Sequence, residues 1–153
     1  VLAKTDGVRF VMAGSGDMMN KMIDLVAQRG IADKFHFPGF MRGRQVQEVL
    51  ADSDVYIMPS VSEPFGISPL EAMQVGCPSI ISHQSGCAEI LSHVIKTDYW
   101  DIDAMADAIY AIVKYPAMYK SLRELGRDEV NNIKWYDVGL KVRRIYDMVI
   151  SGC

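Results

Sequence analysis

The sequence predicts an α/β protein, a doubly wound parallel sheet of Rossmann-like type, and three observations predict it. Short apolar runs alternate with helical patterns about five times along the chain, and only helical patterns follow. Runs such as Val8–Ala13 (VRFVMA) and Asp54–Met58 (DVYIM) are apolar with little alternation, as expected of strands covered on both faces. Turn residues separate the runs, with no internal repeat and no low-complexity linker. Parallel crossovers place helices on both faces of a sheet, so this order gives a doubly wound architecture.

Taken in order, Val1–Lys4 reads as the tail of a helix closed by Thr5-Asp6-Gly7. The strand Val8–Ala13 leads through Gly14-Ser15-Gly16 into a helix over Asp17–Arg29, with Met18, Met22, Leu25 and Val26 on one stripe and Gly30 as its stop. Lys34–Phe37 is a strand running into Pro38-Gly39. Arg44–Ala51 is a helix with Val46, Val49 and Leu50 inward. Asp54–Met58 is the next strand, and a short helix spans Pro69–Val75 with Gly76 as its stop. Pro78–Ser82 is a strand, Ala88–Leu91 begins a short helix, and Val94–Lys96 is a further strand. Three helices close the chain: Asp101–Lys114, Ala117 to about Asn131, and Tyr136–Ile150 with Val138, Val142, Ile145 and Val149 to one side. The methionines, among them Met12, Met18, Met22, Met58 and Met73, fall mostly at core positions and read as packing.

Length and composition set bounds. A chain of 153 residues suits one domain and buries roughly two-thirds of its unfolded surface. Half the residues are hydrophobic and 23% are charged, which fits a globular chain. A net charge of −3 without a basic stripe argues against nucleic-acid binding. Cys77, Cys87 and Cys153 are an odd set without paired spacing and read as reduced thiols of a cytoplasmic protein. His36, His83 and His93 lack metal-ligand spacing, so no metal is expected. No membrane-length apolar run is present. The chain begins at Val1 with no methionine and no cap, as expected of a fragment of a longer protein.

In sheets of this type ligands bind beyond the carboxyl ends of the strands. The loops at 14–16, 38–42, 59–68 and 82–87 all follow strands, so all four are expected to open onto one crevice. Gly14-x-Gly16 begins a dinucleotide pattern whose third glycine is replaced by Met19, and no ribose-binding carboxylate follows a second strand. A tight turn and a phosphate contact therefore both remain open for these glycines. The phosphate-loop lysine motif and the G-x-S-x-G elbow are absent.

The stretch Met58–Gly76 (MPSVSEPFGISPLEAMQVG) carries the strongest signal. Ser68-x-x-Glu71 reads as a capping box with Pro69 at the first helical position. A carboxylate there also suits two neighbouring ribose hydroxyls, and the two roles compete for the same oxygens. Glu63 precedes a proline, which pushes it into an extended conformation with its side chain presented from the strand end. A solvated loop carboxylate is the competing reading. Gly66 after Phe65 suggests close backbone approach, and the helix start beyond it suits a phosphate. Ser85 and Gly86, before another helix start, offer further backbone donors; Glu89 there suits the helix dipole.

The whole of 59–91, PSVSEPFGISPLEAMQVGCPSIISHQSGCAEIL, resembles the signature region of retaining glycosyltransferases of the GT-B fold, which is written E-P-F-G-x-x-x-L-E-A-M-x-x-G-x-P. The resemblance runs over nearly the full chain: VRFVMAGSG looks like the second strand and loop of the donor domain, KFHFPGF like the base-binding loop, SDVYIMPS like the A-D-V-x-x-x-P-S strand, and IKWYDVGLKVRRIYDMV like the closing helix. It implies the C-terminal, donor-binding domain of a group 1, glycogen-synthase-like enzyme. By that resemblance Glu63 is the catalytic-site carboxylate that hydrogen-bonds donor-sugar hydroxyls, and the backbone at Phe65, Gly66 and Ile67 holds sugar and phosphate. Ser68 sits by the pyrophosphate, Glu71 binds the ribose, Phe40 or Met41 pairs its main chain with the base, and Gly14 and Gly16 line the phosphate pocket.

The implied partners are a nucleotide-diphosphate sugar and, through a missing N-terminal domain, an acceptor glycan or other hydroxyl compound; no cofactor, metal or membrane span is implied. Two departures stand out. The basic pair that clamps the diphosphate lies upstream of Val1 in the family, with the first strand, and the family's Gly-Gly is Ser85-Gly86 here. The last helix packs on the other domain in the resembled fold, so its apolar side is expected to be exposed. The rival reading is a non-catalytic α/β nucleotide-binding or signalling module, which needs an acidic cluster at early strand ends where this chain has Ala13-Gly14. A phosphorylase or epimerase relative, and a glycosidase using Glu63 and Glu71 as a pair, rank lower.

Overall fold

The computed structural model describes residues 1–152, and Cys153 lies outside the described residues. Among the described residues five strands and six α-helices follow one another, with three helices closing the chain as anticipated. They are β1 (Phe10–Ala13), α1 (Met19–Gln28), β2 (Phe35–Gly39), α2 (Arg44–Ala51), β3 (Tyr56–Met58), α3 (Ser68–Gln74), β4 (Ser79–Ser82), β5 (Ile95–Thr97), α4 (Ile102–Lys114), α5 (Pro116–Asn132) and α6 (Trp135–Ile150). Every strand pair is parallel. The ladders resolve into two groups, β1-β2 and β3-β4-β5, where one sheet was expected.

The central strand β4 shows why the alternation works. Ile80 turns to one face and packs with Ala108, Ile109 and Ile112 of α4. Its neighbour Ile81 turns to the other and packs with Met58, Met73 and Leu91. Successive side chains of a strand point to opposite faces, so adjacent apolar residues are what a doubly covered strand requires. All four residues of β4 are buried. A third cluster, Leu50, Ala72 and Cys77, binds α2 to α3. Asp101 caps α4 by accepting from the Ala104 amide at 2.9 Å, and the Glu129 carboxylate of α5 accepts from the amides of Ser92 and His93 at 2.7 and 2.9 Å.

Some expectations are corrected. The strand β1 is apolar, yet Val11 and Met12 are 48% and 37% exposed, and among the described residues it pairs with β2 alone. Met18 and Leu25 of the predicted α1 stripe are also exposed, leaving Val26 as the buried anchor. The helix forecast over Ala88–Leu91 is a 3-10 turn at Gly86–Glu89. Val1–Lys4 is a single turn, with the Lys4 and Thr5 amides donating to the Val1 carbonyl. The last helix, α6, keeps to expectation: it has no buried residue, and its stripe at Val138, Val142, Ile145 and Val149 is exposed. Cys77 and Cys87 are free and buried, and burial pushes the Cys77 thiol up to about 12. No described helix is long and apolar enough to cross a membrane, and no cluster of potential metal ligands occurs among the described residues.

Candidate functional site

The site is assembled where β3 and β4 end. Past Met58 the chain leaves the ladder, and the Ser82 hydroxyl holds it by donating to the Ser60 carbonyl at 2.6 Å. Pairing then resumes for one step, with a parallel bridge between Glu63 and Ser85. The extended backbone that Pro64 imposes on Glu63 makes this bridge available. The Gly86 amide donates to the Glu63 carbonyl at 2.9 Å, and the Cys87 amide to the Phe65 carbonyl at 2.6 Å. A Cβ on Gly86 would lie 2.1 Å from the Pro64 oxygen, so only glycine permits this approach. Gly66 turns the loop at φ +92°, and a Cβ there would meet the Met58 methyl at 2.9 Å and Glu63 Cγ at 3.2 Å. The loops 63–66 and 84–87 are thus one packed body.

The capping box is not formed. Ile67, which precedes α3, is already helical at φ −76° and ψ −34°, and no side chain caps the helix. A capping side chain needs an extended residue at that position. Ser68 instead lies within the first turn, with its Oγ 2.7 Å from the Tyr56 hydroxyl. Glu71 is exposed on the same turn, and its carboxylate accepts no hydrogen bond among the described residues. The structural role that competed for its oxygens is therefore removed. Glu63 is partly buried, and its Oε1 lies 3.3 Å from the Phe65 amide. Between the two carboxylates, the amides of Gly66, Ile67 and Ser68 donate to no acceptor among the described residues.

Ser85 and Gly86 behave differently from expectation. Ser85 is 2% exposed, and its amide and hydroxyl both donate to the Ser82 carbonyl. The Gly86 amide is taken by Glu63. Neither of the backbone donors that the sequence offered to a phosphate is free, because both are spent in knitting the loops.

The remaining predicted residues form a second group beyond β1 and β2. The Gly14 amide donates to the Gly39 carbonyl at 2.8 Å, which brings the 14–16 loop beside the segment containing Phe40 and Met41. Gly14 uses a positive φ of +131°, whereas Gly16 does not. Phe40 is 61% exposed, with the Arg42 guanidinium 4.9 Å from its ring centre. No hydrogen bond among the described residues joins this group to the 63–71 loop. Both groups follow the carboxyl ends of parallel strands, and α2, which follows Met41, packs on α3.

One residue escaped the sequence reading. In the sequence Tyr56 reads as one more residue of an apolar strand, yet its hydroxyl is what engages Ser68. Burial raises its phenol above the usual tyrosine range. A lone aromatic hydroxyl in DVYIM, one strand-loop away from a serine, was the available signal.

Comparison with known proteins places this architecture in a class. The chain superposes on sucrose-phosphate synthase from Thermosynechococcus elongatus with a TM-score of 0.81 at 23% identity, over 99% of this chain and 41% of that one. It superposes on Anabaena HepE, solved in complex with UDP-glucose, with a TM-score of 0.80 at 19% identity, over 98% of this chain and 43% of that one. The fold is the Rossmann-like half of a GT-B protein. The family described as "Glycosyl transferases group 1" matches residues 1–129, and the chain belongs to it. An uncharacterized glycosyltransferase, MJ1607 of Methanocaldococcus jannaschii, is 45% identical over 74 residues, which cover 48% of this chain and 19% of the relative. The gpi3 subunit of phosphatidylinositol N-acetylglucosaminyltransferase from Schizosaccharomyces pombe is 30% identical over 99% of this chain and 34% of its own length. The chain therefore spans between a fifth and about a third of these relatives.

Proposed function

We propose that the chain is the donor-binding half of a cytoplasmic retaining glycosyltransferase, which holds a nucleotide-diphosphate sugar while an acceptor hydroxyl is supplied through a further domain. The supporting observation is the run of three unpartnered amides, Gly66 to Ser68, set between Glu63 and Glu71 at the carboxyl ends of parallel strands. Backbone N–H groups fixed by a packed loop suit a diphosphate and cost no reorganisation on binding.

In this reading Glu63, anchored by the Gly86 amide through its own carbonyl, turns its carboxylate to the donor-sugar hydroxyls. Phe65, Gly66 and Ile67 contact sugar and phosphate, and Ser68 faces the pyrophosphate. Glu71 takes the ribose diol, for which its free carboxylate is suited. Gly14 and Gly16 line the phosphate side, and Phe40 or Met41 meets the base through the main chain. Ser85 and Gly86 serve by holding the 63–66 loop in place. The amides and basic groups, without a metal, stabilise the diphosphate as the sugar departs. The acceptor is a glycan, as in glycogen-synthase-like enzymes, or another hydroxyl compound.

Calorimetric titration of UDP, ADP and GDP tests this. One nucleotide binds, and Glu71→Ala weakens it by about tenfold or more, the loss expected for hydrogen bonds to a charged group. Absence of binding by all three, in the chain and in the full polypeptide that carries it, overturns the proposal.

A further inference from the structure

The Ser68 hydroxyl is held in an unusual way. A serine in the first turn of a helix ordinarily caps the helix or bonds back to a carbonyl of the preceding turn. Ser68 does neither. Its Oγ accepts from the Tyr56 hydroxyl at 2.7 Å, and among the described residues its own proton has no hydrogen-bond partner but the Met58 sulfur at 3.9 Å, a weak acceptor. Tyr56 packs against the cluster of Leu50, Ala72 and Cys77, so its hydroxyl has little freedom to follow Ser68 elsewhere.

A phenol and an aliphatic hydroxyl in contact share one proton between their oxygens, and the phenol is the stronger donor. When Tyr56 donates, the Ser68 oxygen is the acceptor and its own proton must point away from the ring. The protein offers that proton nothing better than a thioether. An anionic oxygen brought to the 63–71 loop is a far better partner.

We infer that Tyr56 is a positioning residue, which turns the Ser68 O–H outward to donate to the diphosphate of the bound donor. This rests on the donor-site reading above. Without the tyrosine hydroxyl, Ser68 is free to rotate and spend its proton on a backbone carbonyl of the preceding turn. The tyrosine itself touches no ligand.

The test uses whichever of UDP, ADP and GDP binds, together with its free nucleoside, and the variants Tyr56→Phe, Ser68→Ala, Ser68→Thr and the Tyr56→Phe/Ser68→Ala pair. Tyr56→Phe keeps the ring and the packing, which a thermal melt confirms. Tyr56→Phe is expected to weaken the diphosphate about three- to tenfold, part of the roughly tenfold or more that a hydrogen bond to a charged group is worth, because Ser68 keeps its hydroxyl but loses its orientation. Nucleoside affinity is expected to stay unchanged, a split that a merely structural role would not produce. Ser68→Thr keeps the hydroxyl and keeps the affinity. The double variant loses no more than Ser68→Ala alone, because Tyr56 acts through Ser68. Equal losses for nucleoside and diphosphate, or full additivity of the two substitutions, overturn the positioning role. If the nucleotide still binds and responds to Glu71→Ala while Tyr56→Phe has no effect, this inference fails and the donor site stands. If no nucleotide binds at all, both fail.

Discussion

Two strands of equal length meet opposite fates in this molecule. Phe10–Ala13 (FVMA) is apolar throughout, and Ser79–Ser82 (SIIS) sets two isoleucines between two serines. The second is buried at every residue, whereas the first leaves Val11 and Met12 open to solvent. The difference lies in their neighbours. β4 has a strand on each side and helices on each face, while β1 has β2 alone. An apolar run therefore states a requirement for cover, and the surrounding elements decide whether it is met.

The largest expected contrast comes from shortening one side chain in each strand. Ile80→Ala, in a fully buried position, is expected to cost about 2–4 kcal/mol, as cavity-forming substitutions do. Val11→Ala is expected to cost well under ~1 kcal/mol, since little cover is lost. Urea unfolding of both variants measures this, and equal losses break the comparison.

The two loop systems sharpen it at a smaller scale. Gly66→Ala forces a side chain into a left-handed backbone position against the Met58 methyl, with an expected cost of about 1–3 kcal/mol and loss of nucleotide binding. Gly16→Ala meets nothing within 4 Å and is expected to be near neutral in stability, by the same unfolding assay. Comparable damage at both glycines would mean that the 63–66 loop is not specially packed.

The smallest effect concerns how the buried half is stitched at its rim. Burial alone would raise the Glu129 carboxyl, but hydrogen bonds from the His93 and Ser92 amides and from the His93 ring outweigh it and hold it below the ordinary range. Its folded pKa is depressed, so the stabilisation is present above the unfolded value, about 4.3, and is lost as pH falls through the folded one. Glu129→Gln is expected to cost about 1 kcal/mol near neutrality. The difference from the parent should shrink as the pH falls below ~4, followed by thermal melts across that range.

Much of the architecture was legible because its signals are local. The alternation of apolar runs, Asp101 before α4, Pro116 as the stop after α4 and Gly76 after α3 each mark a boundary by short-range chemistry. What escaped was decided across the chain. The exposure of Val11 depends on the absence of a second neighbouring strand. The capping box at Ser68 has the right residues at the right spacing, but Ile67 before it is already helical, and Tyr56, twelve positions earlier, donates to the hydroxyl. The amides of Ser85 and Gly86 were offered to a ligand because the pairing of their loop with 63–66 has no sequence mark beyond the glycine itself. The motif spanning Glu63 and Glu71 lies past the end of β3, where Glu71 carries a free carboxylate and Glu63 sits beside a packed loop.

Surface loops usually drift in length without penalty. The paired loops after β3 and β4 are an exception, since one carbonyl of each Glu63–Phe65 step is matched to one amide of Gly86 or Cys87. A residue inserted into either loop would slide that register, drive a side chain toward the Pro64 oxygen at the place of Gly86, and displace both carboxylates together. Length variation in this protein should therefore collect elsewhere, in the turns at the opposite ends of the strands, while these two loops change by substitution alone.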